Sequence, residues 1–522
     1  MKLIGFSFID SWRFVKFVSN PRKRKTNRSK QRKQRTGINR SAKTSLFPEF
    51  ILVLLVLACV MLIHASTVAA PAELRWPQFR GPGGSGVAVG SDFPIHFGAE
   101  SNVVWKTTLP GGHSSPCIWD SKIFVTGLSD GKLETLGLDR HNGKILWRRA
   151  VEPGPMEKGS RNSNPAAATP VCDGSNVCVY FAAFGLISYN LDGKEQWRKP
   201  LPTPVTQHGA SSSPVIAGGK VLLACDQDLD SYLLAVDAAT GATLWRNERS
   251  GFRRGFSTPL PWPQHHPATA IVAGTLRLVA YNLRDGTEQW SVSGLPNEMV
   301  TSPVAGDDLI FVAGWTPGAG VSRLPRFDAL LEQGDRDHDG RLTRDEAPAG
   351  PARQHFLYID ADKDGFVTRA EWDSLARIFE QSQNALLAIR PNGTGDVTAT
   401  HIAWKQTRGL PYVPSPLFYD GRIYLVKNGG LASCFEAKTG KVFYQEERLG
   451  VVGDFYSSPI AANGKICVAS QPGTVVIYEA GDILNVLARN SLGEPIMATP
   501  AIVDGKLYVR TRGYLYAFGQ SK

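Results

Sequence analysis

Two stretches of this sequence place oxygen-bearing side chains at intervals that suit a hard divalent cation. In the first, Asp335, Asp337 and Asp339 stand at positions one, three and five of a twelve-residue loop, with Gly340 at six, Thr343 at nine and Glu346 at twelve. The second repeats the arrangement with Asp360, Asp362, Asp364, Gly365, Thr368 and Glu371. Calcium takes about 6–8 oxygen ligands. Alternating aspartates supply carboxylates, and glycine permits the sharp turn between them. The carbonyls of Arg341 and Phe366, at position seven, add one ligand to each loop. Thr343 and Thr368 are placed to hold a bridging water, and Glu346 and Glu371 to bind through both oxygens. The sequence therefore predicts two Ca2+ sites. An ordinary solvated acidic turn needs neither the glycine nor the closing glutamate at these offsets.

This is the EF-hand pattern, and it dictates what must surround it. The apolar eighth residues, Leu342 and Val367, are expected to pair in a short strand, so that the loops form one unit. Phe327, Leu330, Leu331, Phe356, Leu357, Trp372 and Leu375 are expected to supply the packed helix faces. Pro348 and Pro351 interrupt the helix that would leave the first loop. That favours a structural or weak extracellular site over a sensor that opens a groove. Residues 320–383 are helix-forming and acidic, and they interrupt a chain of different character.

That chain repeats itself. Ser/Thr-Pro recurs at Pro116, Pro170, Pro214, Pro259, Pro303, Pro416, Pro459 and Pro500, with spacings of 54, 44, 45, 44, 113, 43 and 41 residues. The outlier contains the paired loops. Each repeat offers short apolar runs, a turn with Asp or Asn beside Gly, and then Trp, as in Tyr232–Trp245. Such turns join antiparallel strands, and four short strands at this period describe a propeller blade. Eight four-stranded blades are predicted, within an all-β fold carrying a small α-helical insertion. The last repeat ends at Phe518 without a Trp strand, while Asn102–Lys106 is an orphan Trp strand before the first. Pairing the two would close the ring and remove two open edges. The predicted organisation is a leader over 1–72, an extended lead-in over 73–102, blades over 103–319 and 384–522, and the insertion over 320–383.

The run Ala235-x-Asp237-x-x-Thr240-Gly241-x-x-x-Trp245 resembles the tryptophan-docking repeat of the quinoprotein-like (pyrroloquinoline-quinone repeat) propellers. Trp76-Pro77-Gln78-Phe79-Arg80-Gly81-Pro82 is similar to the lead-in of exported propellers of that type. The resemblance covers roughly residues 100–520 and degenerates late, where Tyr444 replaces the Trp. It implies that Trp147, Trp197, Trp245, Trp290 and Trp404 stack between neighbouring blades. The family holds both quinone-dependent alcohol dehydrogenases and a lipoprotein of the outer-membrane assembly machinery. Its dehydrogenases use a catalytic Asp, a calcium beside the quinone and often a vicinal disulfide. This sequence has no adjacent cysteines, its calcium pattern lies in the insertion, and no single Asp stands out as a base. Bound quinone is therefore not expected, and a quinone-dependent oxidoreductase is kept only as the alternative.

The net charge of +11 is confined to the N-terminus. Residues 1–49 carry fourteen Lys and Arg against Asp10 and Glu49, and the remaining chain is nearly neutral. A nucleic-acid partner is excluded on that ground. The basic stretch runs into Phe50–Ile63, an apolar run that suits an export signal, followed by small residues up to Ala70 and Ala72. The protein is expected to be exported, periplasmic or secreted, with residues 50–63 either cleaved away or retained as a membrane anchor. Seven cysteines include no Cys-x-x-Cys pair. Cys172 and Cys178 flank a turn and are expected to face each other across a hairpin.

No G-x-S-x-G, H-E-x-x-H or P-loop pattern is present. The links that follow the Trp strands carry polar and aromatic residues: Arg161, His208, Arg254, Glu298, Tyr412 and Asp454 are the candidates for a ligand face at the propeller mouth. Glu298 and Asp454 would be the pair for any glycan chemistry there. The function expected is a non-catalytic, calcium-binding scaffold whose partner is an envelope protein, a peptide or a glycan.

Overall fold

The computed structural model describes residues 74–157 and 159–519. The export signal and the anchor over 50–63 lie outside the described residues. Eight antiparallel sheets follow one another along the chain, each a blade. Blade 3 shows the plan, with strands Val215–Ala217, Lys220–Cys225, Tyr232–Asp237 and Thr243–Glu248 in that order. The middle strands are almost wholly buried, because both of their faces pack on neighbouring blades. In the outer strand only Trp245 is buried, which is why a polar strand keeps one aromatic residue. Successive apolar clusters each span two adjacent blades, so the core is a set of inter-blade layers.

The tryptophans lock these layers. The indole N–H of Trp105, Trp147, Trp197, Trp245 and Trp404 donates to a carbonyl of the next blade, at Arg140, Leu191, Ala238, Leu283 and Ala437, over 2.8–3.1 Å. Each ring also covers a turn glycine of that blade. A Cβ on Gly241 would sit 2.7 Å from the Trp197 ring, and one on Gly286 2.5 Å from that of Trp245. Glycine is required there twice over, since both positions also have positive φ.

Closure follows the expected route. Val103–Thr108 pairs with Tyr514–Phe518 and completes blade 8. A second closure lies at the axis, where the residue before each repeat proline takes part in a ring. The backbone N–H of Ser115 donates to the Thr169 hydroxyl, and the relay continues through Ser213, Thr258, Ser302, Ser415, Ser458 and Thr499. Thr499 N–H then donates to Ser115 Oγ at 3.0 Å, closing the circle. Every one of these residues is buried. Blade-to-blade spacing is thus fixed by eight neutral hydrogen bonds, each of order 1 kcal/mol net.

The lead-in is more than an extended tail. Arg75–Trp76 adds a fifth strand to blade 1, and the Pro77 carbonyl accepts from Cys172 N–H of blade 2 at 2.8 Å. Arg80 donates to the Pro416 carbonyl of blade 6 at 2.6 Å, and the Gly86 carbonyl accepts from Ala461 of blade 7. Blades 2 and 6 stand opposite each other in a ring of eight, so the segment crosses the axis. Blade 4 also has a fifth strand, Gly395–Asp396, which runs parallel to Glu288–Ser293.

The cysteine expectation is corrected. Cys172 lies opposite Val177, and Cys178 opposite Val171. Neighbouring ladder positions point to opposite faces. Cys172 accordingly packs with Cys117 and Trp147, while Cys178 packs in the layer toward blade 3, and all described cysteines are free.

Candidate functional site

The insertion leaves blade 5 after Leu309–Gly314 and returns at Ala385–Ile389. Its helices Phe327–Gly334 and Arg369–Gln381 pack through Phe327, Leu330, Phe356, Trp372 and Leu375 around the two loops. Leu331 is only partly buried, and Leu357 is exposed where the chain between the loops breaks into two single-turn helices rather than one continuous face. Leu342 pairs with Val367 and Thr343 with Phe366, so the loops form one antiparallel unit.

The loops share the same internal bonding. Asp335 Oδ2 accepts from Gly340 N–H at 3.0 Å, and Asp360 Oδ2 from Gly365 N–H at 3.1 Å. Asp337 and Asp362 accept from the amides at position five, Asp339 and Asp364 from those at position seven. The glycines at position six have φ of 78° and 89°, and His338 and Lys363 at position four are also left-handed. These turns aim carboxylates inward. Acidic oxygens of Asp335, Asp337 and Glu346 come within 4.8 Å of one another, as do those of Asp360, Asp362 and Asp364.

Two residues of the pattern stand aside from these groups. Asp339 is gripped by Arg341 at 2.8 and 3.1 Å, whose guanidinium stacks on Phe366. Glu371 accepts from Ala361 and Thr368 amides while Thr368 caps the helix Arg369–Gln381 in a reciprocal box. Glu346 likewise holds Thr343, but no helix leaves the first loop, where the prolines stand.

One oxygen in each loop has no partner. Asp335 Oδ1 and Asp360 Oδ1 are buried and accept nothing, and Asp360 is 5% exposed. Burial, with Glu371 and Asp364 nearby, raises the Asp360 carboxyl above its ordinary range. A buried carboxylate needs a compensating charge. The donor set, carboxylate and carbonyl oxygen without sulfur or nitrogen, suits a hard cation.

A second feature lies on the propeller axis. A cavity of about 330 Å³ is floored by all eight Ser/Thr residues of the ring and by Phe79 of the lead-in. His208, Glu298 and Tyr412 line it, as do Asn162 and Tyr456, which are joined by a 2.7 Å hydrogen bond. Burial raises the Glu298 carboxyl, opposed by His208, Arg254 and Arg253. Burial and the adjacent Glu298 push the Tyr412 hydroxyl up to about 12. Among the described residues Glu298 is the one acidic side chain lining this cavity, and no described Lys, Arg or Cys lines it.

The remaining face candidates lie elsewhere. Asp454 is exposed and, unlike Glu298, is not among the residues that line this cavity. Arg161 borders an adjoining cavity. Arg254 is bound to Asp228 at 2.7 Å and reaches His355 of the insertion at 3.3 Å. Gln207 also meets His355, at 3.0 Å, and Arg253 stacks on Tyr358. The segment that enters the second loop is therefore docked against the links of blades 2 to 4.

The fold and this layout define an eight-bladed propeller of the quinoprotein-like repeat class with an inserted pair of acidic loops. The model of the family described as outer membrane protein assembly factor BamB matches residues 81–228 and 229–521, and the chain belongs to that family. Among solved structures, a europium-containing methanol dehydrogenase is similar at 11% identity, over 87% of this chain and 99% of that one, with a TM-score of 0.54. A quinohemoprotein alcohol dehydrogenase from Comamonas testosteroni is similar at 12% identity, over 86% and 81%, with a TM-score of 0.51. BamB from Moraxella catarrhalis is matched at 12% identity, over 80% and 99%, with a TM-score of 0.49. At such identities the likeness is one of fold. No curated protein sequence matches the chain.

Proposed function

We propose that this is an exported, calcium-binding propeller that serves as a non-catalytic binding or assembly scaffold in the cell envelope. The observation that carries the calcium reading is the pair of orphaned buried oxygens, Asp335 Oδ1 and Asp360 Oδ1, at equivalent places in two loops with the same bonding. In each loop a cation would be held by the aspartates at positions one, three and five, the carbonyl of Arg341 or Phe366, and the closing glutamate. Glu346 and Glu371 would turn from their threonine amides to reach it. The family supports the scaffold reading, as it is that of an outer membrane protein assembly factor.

A quinone dehydrogenase is less well supported, because among the described residues the axial cavity offers a single acidic side chain, no Lys or Arg for an anionic quinone and no cysteine pair. Among the described residues no helix is long and apolar enough to cross a membrane. If the protein is anchored, residues 50–63 do it. The partner would be an envelope protein, a peptide or a glycan at the mouth, where His208, Glu298 and Tyr412 meet.

Calorimetric titration of the purified protein with calcium should give two sites, both lost in the Glu346→Gln, Glu371→Gln double variant. No binding at millimolar calcium would refute the calcium reading. Dye-linked alcohol oxidation after reconstitution with quinone and calcium would refute the scaffold reading.

A further inference from the structure

Beside the axial cavity lies a second one of about 460 Å³, and its chemistry is opposite. The two share His113, Asn162, Asn164 and Met497 among their walls. Three arginines border the second cavity, Arg161, Arg510 and Arg512, and no Asp or Glu does. Arg161 and Arg512 are exposed on the rim. Arg510 is different, being 1% exposed.

Arg510 ends the strand Lys506–Arg510, whose middle residues Leu507, Tyr508 and Val509 are buried. Its guanidinium is fixed: Nη1 donates to the carbonyl and hydroxyl of Ser114 at 3.1 and 2.6 Å, and Nη2 to the Pro110 carbonyl at 3.2 Å. A Cβ on Gly112 would lie 2.3 Å from Nη2, so this group is covered closely by a glycine. These partners are all neutral, and Nε has none. The neighbouring carboxylate, Glu494, is committed to the Thr511 hydroxyl at 2.6 Å and the Gly513 amide at 3.0 Å. Burial lowers the Arg510 guanidinium to about 9, and burial together with Arg510 lowers His113 to about 4. His113 is thus a neutral hydrogen-bonding group in a positive field.

A buried cation without a counter-charge is costly, and proteins normally pair it. Arginine forks suit planar or tetrahedral oxyanions, with which they make charge-assisted bonds. Arg249, also fully buried, is paired with Asp226 at 2.6 Å, whereas Arg80, buried in the lead-in and lining neither cavity, donates only to the Pro416 and Ser85 carbonyls. We propose that the cavity between blades 8 and 1 binds an oxyanion group, with Arg510 as its fixed base and Arg161 and Arg512 closing over it. The shared chemistry is that of a phosphate, a sulfate or a carboxylate. The site is distinct from the acidic loops and stands whether or not these take calcium.

Calorimetric titrations of the full chain with sodium phosphate, sulfate and acetate at low ionic strength, against chloride, test this. The expected result is one saturable site for at least one oxyanion. Preference for phosphate or sulfate over acetate would identify a tetrahedral ligand, and the reverse order a carboxylate. Affinity should fall by about tenfold or more in Arg161→Ala, Arg512→Ala, whose exposed positions leave folding intact. Arg510→Met, which keeps the buried volume without the charge, should abolish binding while far-ultraviolet circular dichroism stays native. Absence of a saturable site for all three oxyanions, or unchanged affinity in the double variant, would overturn the proposal.

Discussion

The blades of this protein meet across apolar layers and neutral hydrogen bonds, whereas the two inserted loops meet with carboxylates turned inward. The contacts that repeat from blade to blade are satisfied within the chain: the docking tryptophans find carbonyls, the axial hydroxyls find amides, and the first strand finds the last blade. The insertion has an apolar core of its own, but each loop leaves one buried carboxylate oxygen without a partner. The difference teaches where a ligand matters to stability. The repeated contacts need no ligand, and a counter-ion would matter where buried charge stays unpaired, at Arg510 in the propeller and at the loop aspartates in the insertion.

The largest effect should come from cutting the insertion's core. Trp372 is 1% exposed and donates to the Pro325 carbonyl at 2.9 Å. Trp372→Ala should cost the insertion about 3–5 kcal/mol. Hydrogen exchange should then rise across residues 327–381, with the blades unchanged. Equal loss of protection in blade strands would show that the two regions are one cooperative unit.

Next in size is the cation itself. At calcium near 100 times its Kd, binding adds roughly 2.7 kcal/mol. The melting transition of the insertion should rise with calcium, and that of the propeller should not. Glu371→Gln should remove one site and leave the first loop titrating, while Glu346→Gln should do the converse. A single substitution that abolishes both sites would mean that the Leu342–Val367 pairing carries strong coupling.

The sequence exposed these two regions unequally. Periodic Ser/Thr-Pro and Trp made the blades legible, because a repeat announces itself many times over. The loops were legible because calcium chemistry fixes residue types at short spacing. What escaped was everything that depends on contacts across blades. Ser115 and Thr169 read as repeat markers, since nothing local says that one amide bonds the other's hydroxyl. Arg510 gave no signal in the sequence, because its partners Ser114 and Pro110 lie some four hundred residues away. Cys172 and Cys178 misled because a turn shows proximity, while facing depends on register.

The axial ring offers a smaller test on the propeller side. Ser213→Ala would leave the buried amide of Thr169 without an acceptor, at a cost of about 1–3 kcal/mol. Ser213→Thr should be nearly neutral, because Thr169, Thr258 and Thr499 already fill equivalent places. Thermal melts of the two variants separate hydrogen bonding from packing: similar losses in both would assign the effect to steric fit.

The smallest effect concerns the seam between the two regions. His355 of the insertion lies against Gln207 and Arg254, with Arg253 and Asp228 behind. Burial first, and then the two arginines, lowers its pKa from an ordinary 6.5 to about 4, while Asp228 acts the other way. The docked state therefore refuses a proton that the undocked state accepts between these values. Docking is favoured in full above pH 6.5 and is lost progressively as the pH falls toward 4. Hydrogen exchange of residues 350–359 should show this loss in the native protein and a flatter profile in His355→Gln. Identical profiles would place the pH sensitivity elsewhere on the seam. A clear difference would mean that the insertion and the inter-blade links are joined by a contact that weakens with acid, with each region keeping its own core.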